Sequence, residues 1–335
     1  MHGRGQEEYG GGGVSKPVIQ APPPVVHQFA AAQRRLSLPR AKDRPCLTSS
    51  HGLACLPSGR YHVGDPTKRT SGPYTSRNVG KAVISGNITL KSSGEVDAMR
   101  AAGRLCGQAL DAVSKAIRSG ISTFELDAIA EAVIRDAGGL PTFKGYFGFP
   151  ATLCTSLNEE IVHGIPSKKR VLRLGDVIKI DCGATLDGWI GDAAFTAQVG
   201  GATGKPKKLM DATAAALEAA IKAMQPGGFL GDVCHAVEVI GKGQKYGIVT
   251  RYCGHGVGRR LHEEPSVPNV GVPGTGVPLV TGLVIAIEPM FTLGRADTVE
   301  LKDGWTVKTR DGSLAAHFEH TVAMTDDGPS ILTLP

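Results

Sequence analysis

Beyond position 90 the apolar residues Val96, Met99, Cys106, Leu110, Val113 and Ile117 recur at intervals dominated by three and four. That spacing lays one apolar stripe along a helix. Ser92 and Glu95 stand ahead of the stripe as a capping box, and Gly120 closes it. Ser122 and Glu125 repeat the box before Leu126, Ile129, Val133 and Ile134, which predicts a second helix to about Gly138. A similar pair returns later. ALDAVSKAIRSG (109–120) aligns with ALEAAIKAMQPG (216–227) at a constant offset of 107 residues. Each copy is followed by a second amphipathic stretch, 122–137 and about 230–246. Helix-forming composition explains part of the agreement. Two related halves, each supplying a helix pair, explain the whole of it.

Between and after the helices the pattern reads as strands. DVIKIDCGA (176–184) and GWIGDAAFTAQV (188–199) flank Asp187-Gly188, a hairpin turn signal. VPLVTGLVIAIEPM (277–290) and HFEHTVAMT (317–325) read as further strands. Helix pairs alternating with antiparallel strands predict an α+β domain, its helices packed on one face of a curved sheet.

Residues 1–80 show neither period. They carry GGGG at 10–13 and PPP at 22–24, so 1–85 reads as a disordered extension and 86–335 as the folded domain. Charge sharpens that division. The net +6 of the chain resides in residues 1–80, which hold 11 Lys+Arg against 4 Asp+Glu; the remainder holds 26 against 27. A near-neutral body argues against sequence-specific nucleic-acid binding. Cys46, His51, Cys55 and His62 fit no common zinc-finger spacing. The acid-free run AAAQRRLSLPRAK (30–42) has transit-peptide character, but Glu7, Glu8 and the glycines precede it. A cytoplasmic protein is the reading, with mitochondrion or plastid as the alternative. Seven scattered cysteines without a CxxC suit a reduced compartment, and no apolar run reaches membrane-spanning length.

Acids occupy strand positions where apolar residues are the rule. Asp181 closes Val177-Ile178-Lys179-Ile180, and Asp192 follows Trp189-Ile190-Gly191. If the loop centres on Leu186-Asp187, the two carboxylates face each other; if it is Asp187-Gly188, they are diagonal neighbours. Either way two anions share one patch of sheet, a costly arrangement unless a cation lies between them. For this hairpin alone, two solvent-facing aspartates are the plainer reading. Glu288, after Leu283-Val284-Ile285-Ala286-Ile287, and Glu319, within His317-Phe318-Glu319-His320-Thr321-Val322, add two more strand-borne acids. Four carboxylates and a histidine can surround two divalent ions. The histidine is His255, in Gly254-His255-Gly256-Val257-Gly258, whose glycines suit close backbone approach better than a phosphate cradle. His262 and His163 have no ligand spacing of their own.

Taken together, SLNEEIVHGIP, IDCG…GD, YCGHGVGRRLHEEP, IEPMF, KDGWTVKT and FEHTVAMT resemble the type I methionine aminopeptidases from about residue 90 to 335. The resemblance implies the pita-bread fold, with pseudo-twofold halves. It implies that Asp181, Asp192, His255, Glu288 and Glu319 ligate two divalent ions (Co, Mn or Fe), Asp192 and Glu319 bridging them. Catalytic roles fall to Glu288 as proton carrier and to His163 and His262 beside the scissile amide. A methionine pocket of Tyr146, Phe149, Cys154 and Trp305 follows, with room for only a small second residue. The implied substrates are the N-termini of nascent polypeptides. Ribosome association through the basic extension and a monomeric state complete the expectation, with no membrane partner. Several positions depart from the family pattern: Leu261, Phe143, Gly183 and Ala193. A proline-specific peptidase of the same fold and a non-enzymatic ribosome-bound protein are the competing readings. The 25 residues between His262 and Glu288 leave no room for the helical insertion of type II enzymes.

Overall fold

The computed structural model describes residues 87–335. The proposed extension 1–85, the transit-like run and Cys46, His51, Cys55 and His62 lie outside these residues. Four long helices form where the apolar stripes place them: α1 (Ser93–Ala116), α2 (Thr123–Asp136), α3 (Gly204–Ala223) and α4 (Leu230–Gly243). Both predicted capping boxes are made. Glu95 accepts from the Ser92 backbone N–H at 2.8 Å and Glu125 from that of Ser122 at 2.8 Å, while each serine hydroxyl accepts from the glutamate N–H. The internal repeat is geometric as well as sequential. A shift of 107 carries the end of α1, Ala116, onto the end of α3, Ala223, and Thr123–Asp136 onto Leu230–Gly243. α3 is the shorter first helix because Pro206 is tolerated only in an opening turn.

The helices cover one nine-stranded sheet. Its strands are β1 (Leu140–Pro141), β2 (Leu153–Leu157), β3 (Val177–Leu186), β4 (Trp189–Gln198), β5 (Gly254–Gly256), β6 (Glu263–Val267), β7 (Val284–Ile287), β8 (Glu319–Thr325) and β9 (Gly328–Ile331). The order is β1-β3-β4-β8-β7-β5-β6, with β2 also on β3 and β9 also on β8, all antiparallel. The seam between the halves is the β4–β8 ladder, where Ala194 pairs Glu319 and Ala193 pairs His320. Leu110, Leu126, Ile134, Ile178, Ile180, Leu209, Met224 and Ile285 are buried between helices and sheet in one core. This is the α+β, pseudo-twofold architecture predicted above.

Two strand expectations need correction. The run 277–290 yields strand over Val284–Ile287 and again at Met290, the start of Met290–Thr292, because Gly282 turns the chain at φ 90° and Pro289 interrupts it. The run 317–325 is divided at Phe318. Ala315–His317 pairs with Met290–Thr292 in a separate three-stranded sheet, and Glu319 opens β8 rather than sitting inside it. β2 was not anticipated, since a strand buried on both faces shows no alternation.

Residues 332–335 run between α1 and β8. Leu332 N–H donates to Thr321 O at 2.9 Å, and the Thr333 hydroxyl is 2.8 Å from His320 Nδ1. A Cβ on Gly103 would stand 2.5 Å from Leu332 O, and one on Gly107 2.8 Å from Pro335 N. Two glycines one helical turn apart therefore open the notch that receives this strap.

Candidate metal centre

The β3–β4 hairpin turns on Asp187 and Gly188, both left-handed at φ 51° and 76°, the backbone of a two-residue type I′ turn. It pairs Gly183 with Asp192 and Asp181 with Ala194. Of the two registers open to the sequence, the diagonal one forms, and it puts both carboxylates on one face. The repeat then supplies a third acid. Val177-Ile178-Lys179-Ile180-Asp181 returns, shifted by 107, as Val284-Ile285-Ala286-Ile287-Glu288. Thus Asp181 and Glu288 occupy equivalent places in the two halves. Asp192 and Glu319 approach from either side of the seam.

His255 arrives on β5, paired with Ala286. Its flanking glycines are required by crowding. A Cβ on Gly254 would lie 2.2 Å from Ala286 O, and one on Gly256 2.2 Å from Glu264 O. His255 Nδ1 is 2.9 Å from Gly256 O; a carbonyl only accepts, so Nδ1 carries the proton and Nε2 a lone pair. Nε2 stands 3.7 Å from Asp192 Oδ2 and 4.0 Å from Glu288 Oε1. Ligand atoms of Asp192, His255 and Glu319 all lie within 4.8 Å of one another.

The electrostatics of this cluster are those of a cation site. Asp181 Oδ1 and Asp192 Oδ1 are buried and reached by no hydrogen bond. Burial drives the Asp181 carboxyl up to about 7. Burial and the neighbouring acids push Asp192 and Glu319 well above the carboxylate range. Glu288 differs. Burial raises it, yet His317, His255 and His262 outweigh that and hold it below its ordinary value. His317 was missed by sequence reasoning, although it stands two residues before Glu319 in the same motif. It is buried, with Nε2 3.5 Å from Glu288 Oε2 and 3.9 Å from Glu319 Oε2.

All five acids and imidazoles border one cavity of about 360 Å³, together with His163, His262, Tyr146, Phe149, Cys154 and Trp305. His163 follows the short strand Glu160–Val162 in the left-handed conformation, φ 61°. Gly164 behind it packs so tightly that a Cβ would meet Thr155 O at 2.3 Å. The ring is thereby held edge-on to Tyr252 and Trp305, at 5.7 and 6.5 Å between centroids. Burial lowers His163 to about 4, so it is neutral at pH 7. His262 is lowered to about 3 by burial and by His255, and its ring is open to the cavity. Its Nδ1 is 2.7 Å from the Tyr146 hydroxyl, and the adjacent Glu263 is anchored by Lys91 at 2.8 Å. Phe149 meets Trp305 edge-on at 5.1 Å. Arg251, Tyr252, Cys253 and Glu300 also line the cavity; sequence reasoning gave none of them a role, although Tyr252 and Cys253 open the motif YCGHGVGRRLHEEP.

A pseudo-twofold sheet that converges strand-borne carboxylates and an imidazole on a cavity defines a class, the metal-dependent peptidases of the pita-bread fold. The family model for metallopeptidase family M24 matches residues 97–326. The chain belongs to that family, on its methionine aminopeptidase branch. It is 53% identical over 253 residues to methionine aminopeptidase 1 of Mycobacterium tuberculosis, covering 74% of this chain and 95% of the relative. Methionine aminopeptidase 1 of Bacillus subtilis is 45% identical, over 73% and 99%. The crystal structure of methionine aminopeptidase from Thermotoga maritima superposes with a TM-score of 0.73 at 42% identity, covering 74% of this chain and all of the other. Prolidase from Pyrococcus furiosus, at 22% identity and TM-score 0.57, shares the fold.

Proposed function

We propose that the cavity hydrolyses the first peptide bond of nascent chains that begin with methionine followed by a small residue. The observation that carries this reading is the convergence of five hard-donor side chains, two neutral histidines and an aromatic pocket holding a cysteine on a single cavity. The donors fit divalent ions. Two buried carboxylate oxygens lack partners, and His255 already holds the tautomer that offers Nε2. Four carboxylates would balance the charge of two divalent ions. Asp181, Asp192, His255, Glu288 and Glu319 would hold two divalent ions. Oxygen and imidazole donors suit Mn, Fe or Co. Such ions, when bound, acidify a water and polarise the scissile carbonyl.

Glu288 is the group for proton transfer. Its histidine neighbours keep it ionised at neutral pH, so it can take a proton from the attacking water and return one to the leaving amine. With the Tyr146 hydroxyl donating to Nδ1, His262 carries its proton on Nε2 and can donate to the developing oxyanion. Neutral His163, fixed between Tyr252 and Trp305, is placed to hydrogen-bond the departing amide nitrogen. Phe149, Trp305 and Cys154 offer a soft, apolar wall to a thioether, which gains from contact with aromatic edges.

The test is release of the N-terminal residue from Met-Ala-Ser, Met-Lys-Ser and Ala-Pro-Ser by chelator-stripped protein given Mn, Fe or Co in turn. Metal-dependent release from Met-Ala-Ser alone supports the reading. Cleavage of Ala-Pro-Ser transfers the chain to proline-specific chemistry, and no cleavage with any metal rejects an enzymatic role. Ribosome binding through the basic residues 1–85 is a separate element of the proposal. Deleting them should weaken co-sedimentation with ribosomes at low salt.

A further inference from the structure

Phe143 and Gly183 meet each other in space. Phe143 borders the cavity and is 7% exposed, packed in one side-chain cluster with Phe149, Cys154 and Leu261. Gly183 lies on β3, two residues after Asp181 and paired with Asp192. Its backbone is ordinary strand, so φ does not demand glycine there. Space does. A Cβ on Gly183 would lie 2.7 Å from Phe143 Cε1, 3.2 Å from Phe143 Cδ1 and 2.9 Å from Thr142 Cβ. The edge of the Phe143 ring thus fills the volume that a side chain at 183 would take.

The backbone beneath the ring is tied to the same strand. Thr142 N–H donates to Gly183 O at 2.9 Å, and the Thr142 and Thr185 hydroxyls are 2.8 Å apart. β1, ending at Pro141, pairs with Thr185 and Ala184. With its main chain clamped to β3, the segment cannot retreat from an enlarged residue 183. The open side of the ring is the cavity. We propose that Phe143 and Gly183 are a matched pair that sets the size of the first-residue pocket. Glycine lets the ring lie back against β3, and any side chain at 183 drives the ring into the space reserved for the thioether.

This inference rests on the proposed peptidase reading and names the residues that bound its substrate range. It is tested on the full chain loaded with Mn, using Gly183→Ala, Phe143→Ala and the double variant, with Phe143→Leu where Phe143→Ala does not fold. In the parent background Gly183→Ala should lower kcat/KM for Met-Ala-Ser about tenfold, chiefly through KM; in the Phe143→Ala background its effect should be about threefold or less. Phe143→Ala should raise the ratio of Phe-Ala-Ser to Met-Ala-Ser cleavage about tenfold. Equal losses in both backgrounds, a drop in bound Mn per chain in Gly183→Ala, or an unchanged substrate ratio would each overturn the proposal. The same four proteins give a cycle of melting temperatures, in which Gly183→Ala is harmful only beside Phe143. That cycle reads the pair even if no peptide is cleaved. A parent inactive with every metal therefore counts against the peptidase reading, whereas additive melting shifts count against the matched pair.

Discussion

The two halves place Asp181 and Glu288 at positions related by the 107-residue offset, yet the two carboxyls behave in opposite ways. Asp181 has an unpartnered oxygen and is pushed up to about 7; Glu288 is held low by three histidines. All three belong to the C-terminal half: His255 on β5, His262 beyond it, and His317 just before β8. A repeated frame delivers acids to matching positions, and the surroundings then assign them different work. The N-terminal acid keeps its proton up to about pH 7, and its C-terminal counterpart gives its own up below the ordinary glutamate value.

The sharpest way to break this comparison is to neutralise each acid in turn. Glu288→Gln should lower kcat on the order of 10²- to 10⁴-fold. Asp181→Asn should lose bound metal, with activity recovering at high metal concentration. Identical behaviour of the two variants, in activity and metal content, would show the halves to be equivalent. Tyr146→Phe comes next. Removing the hydroxyl that pairs with His262 Nδ1 should lower kcat about tenfold and leave KM nearly unchanged. Its effect should vanish in a His262→Ala background.

Proton release separates the acids more gently. Asp181 with a raised value holds a proton below about pH 7, and a divalent ion must displace it. Calorimetric titration of stripped protein with Mn, in buffers of different ionisation enthalpy, should show that this release fades as pH rises through 7. Apparent affinity should climb over the same interval. Glu288, lowered from its ordinary value, should add nothing to the release above pH 5. The smallest effect concerns the helix starts. Ser122 caps α2, whereas the Thr203 side chain caps nothing on α3. Ser122→Ala should lower stability by about 1 kcal/mol, or about 2–4 °C in melting temperature, and Thr203→Ala by less.

Much of this was legible in the chain. Stripes, capping boxes and the 107-residue offset give the helix pairs to within a few residues, because those signals are local. The acids stood out because strands rarely spend buried positions on charge. Partnership was harder to read. Alternation along 177–198 says which face a residue takes, but the register hung on a one-residue choice of turn. The division of 317–325 between two sheets depends on neighbours far away in sequence, as does the contact of Phe143 with Gly183. His317 escaped for the same reason, since its importance comes from Glu288, supplied by another strand.

The strap at 332–335 bears on how this molecule comes into being. α1 is among the first described elements to leave a ribosome, yet its Gly103–Gly107 notch is filled by residues 332–335, which are made much later. β8, which brings Glu319, is backed by the same strap. Contacts between such distant parts of a chain form late and slow folding. The cavity can therefore close only after the strap has been made.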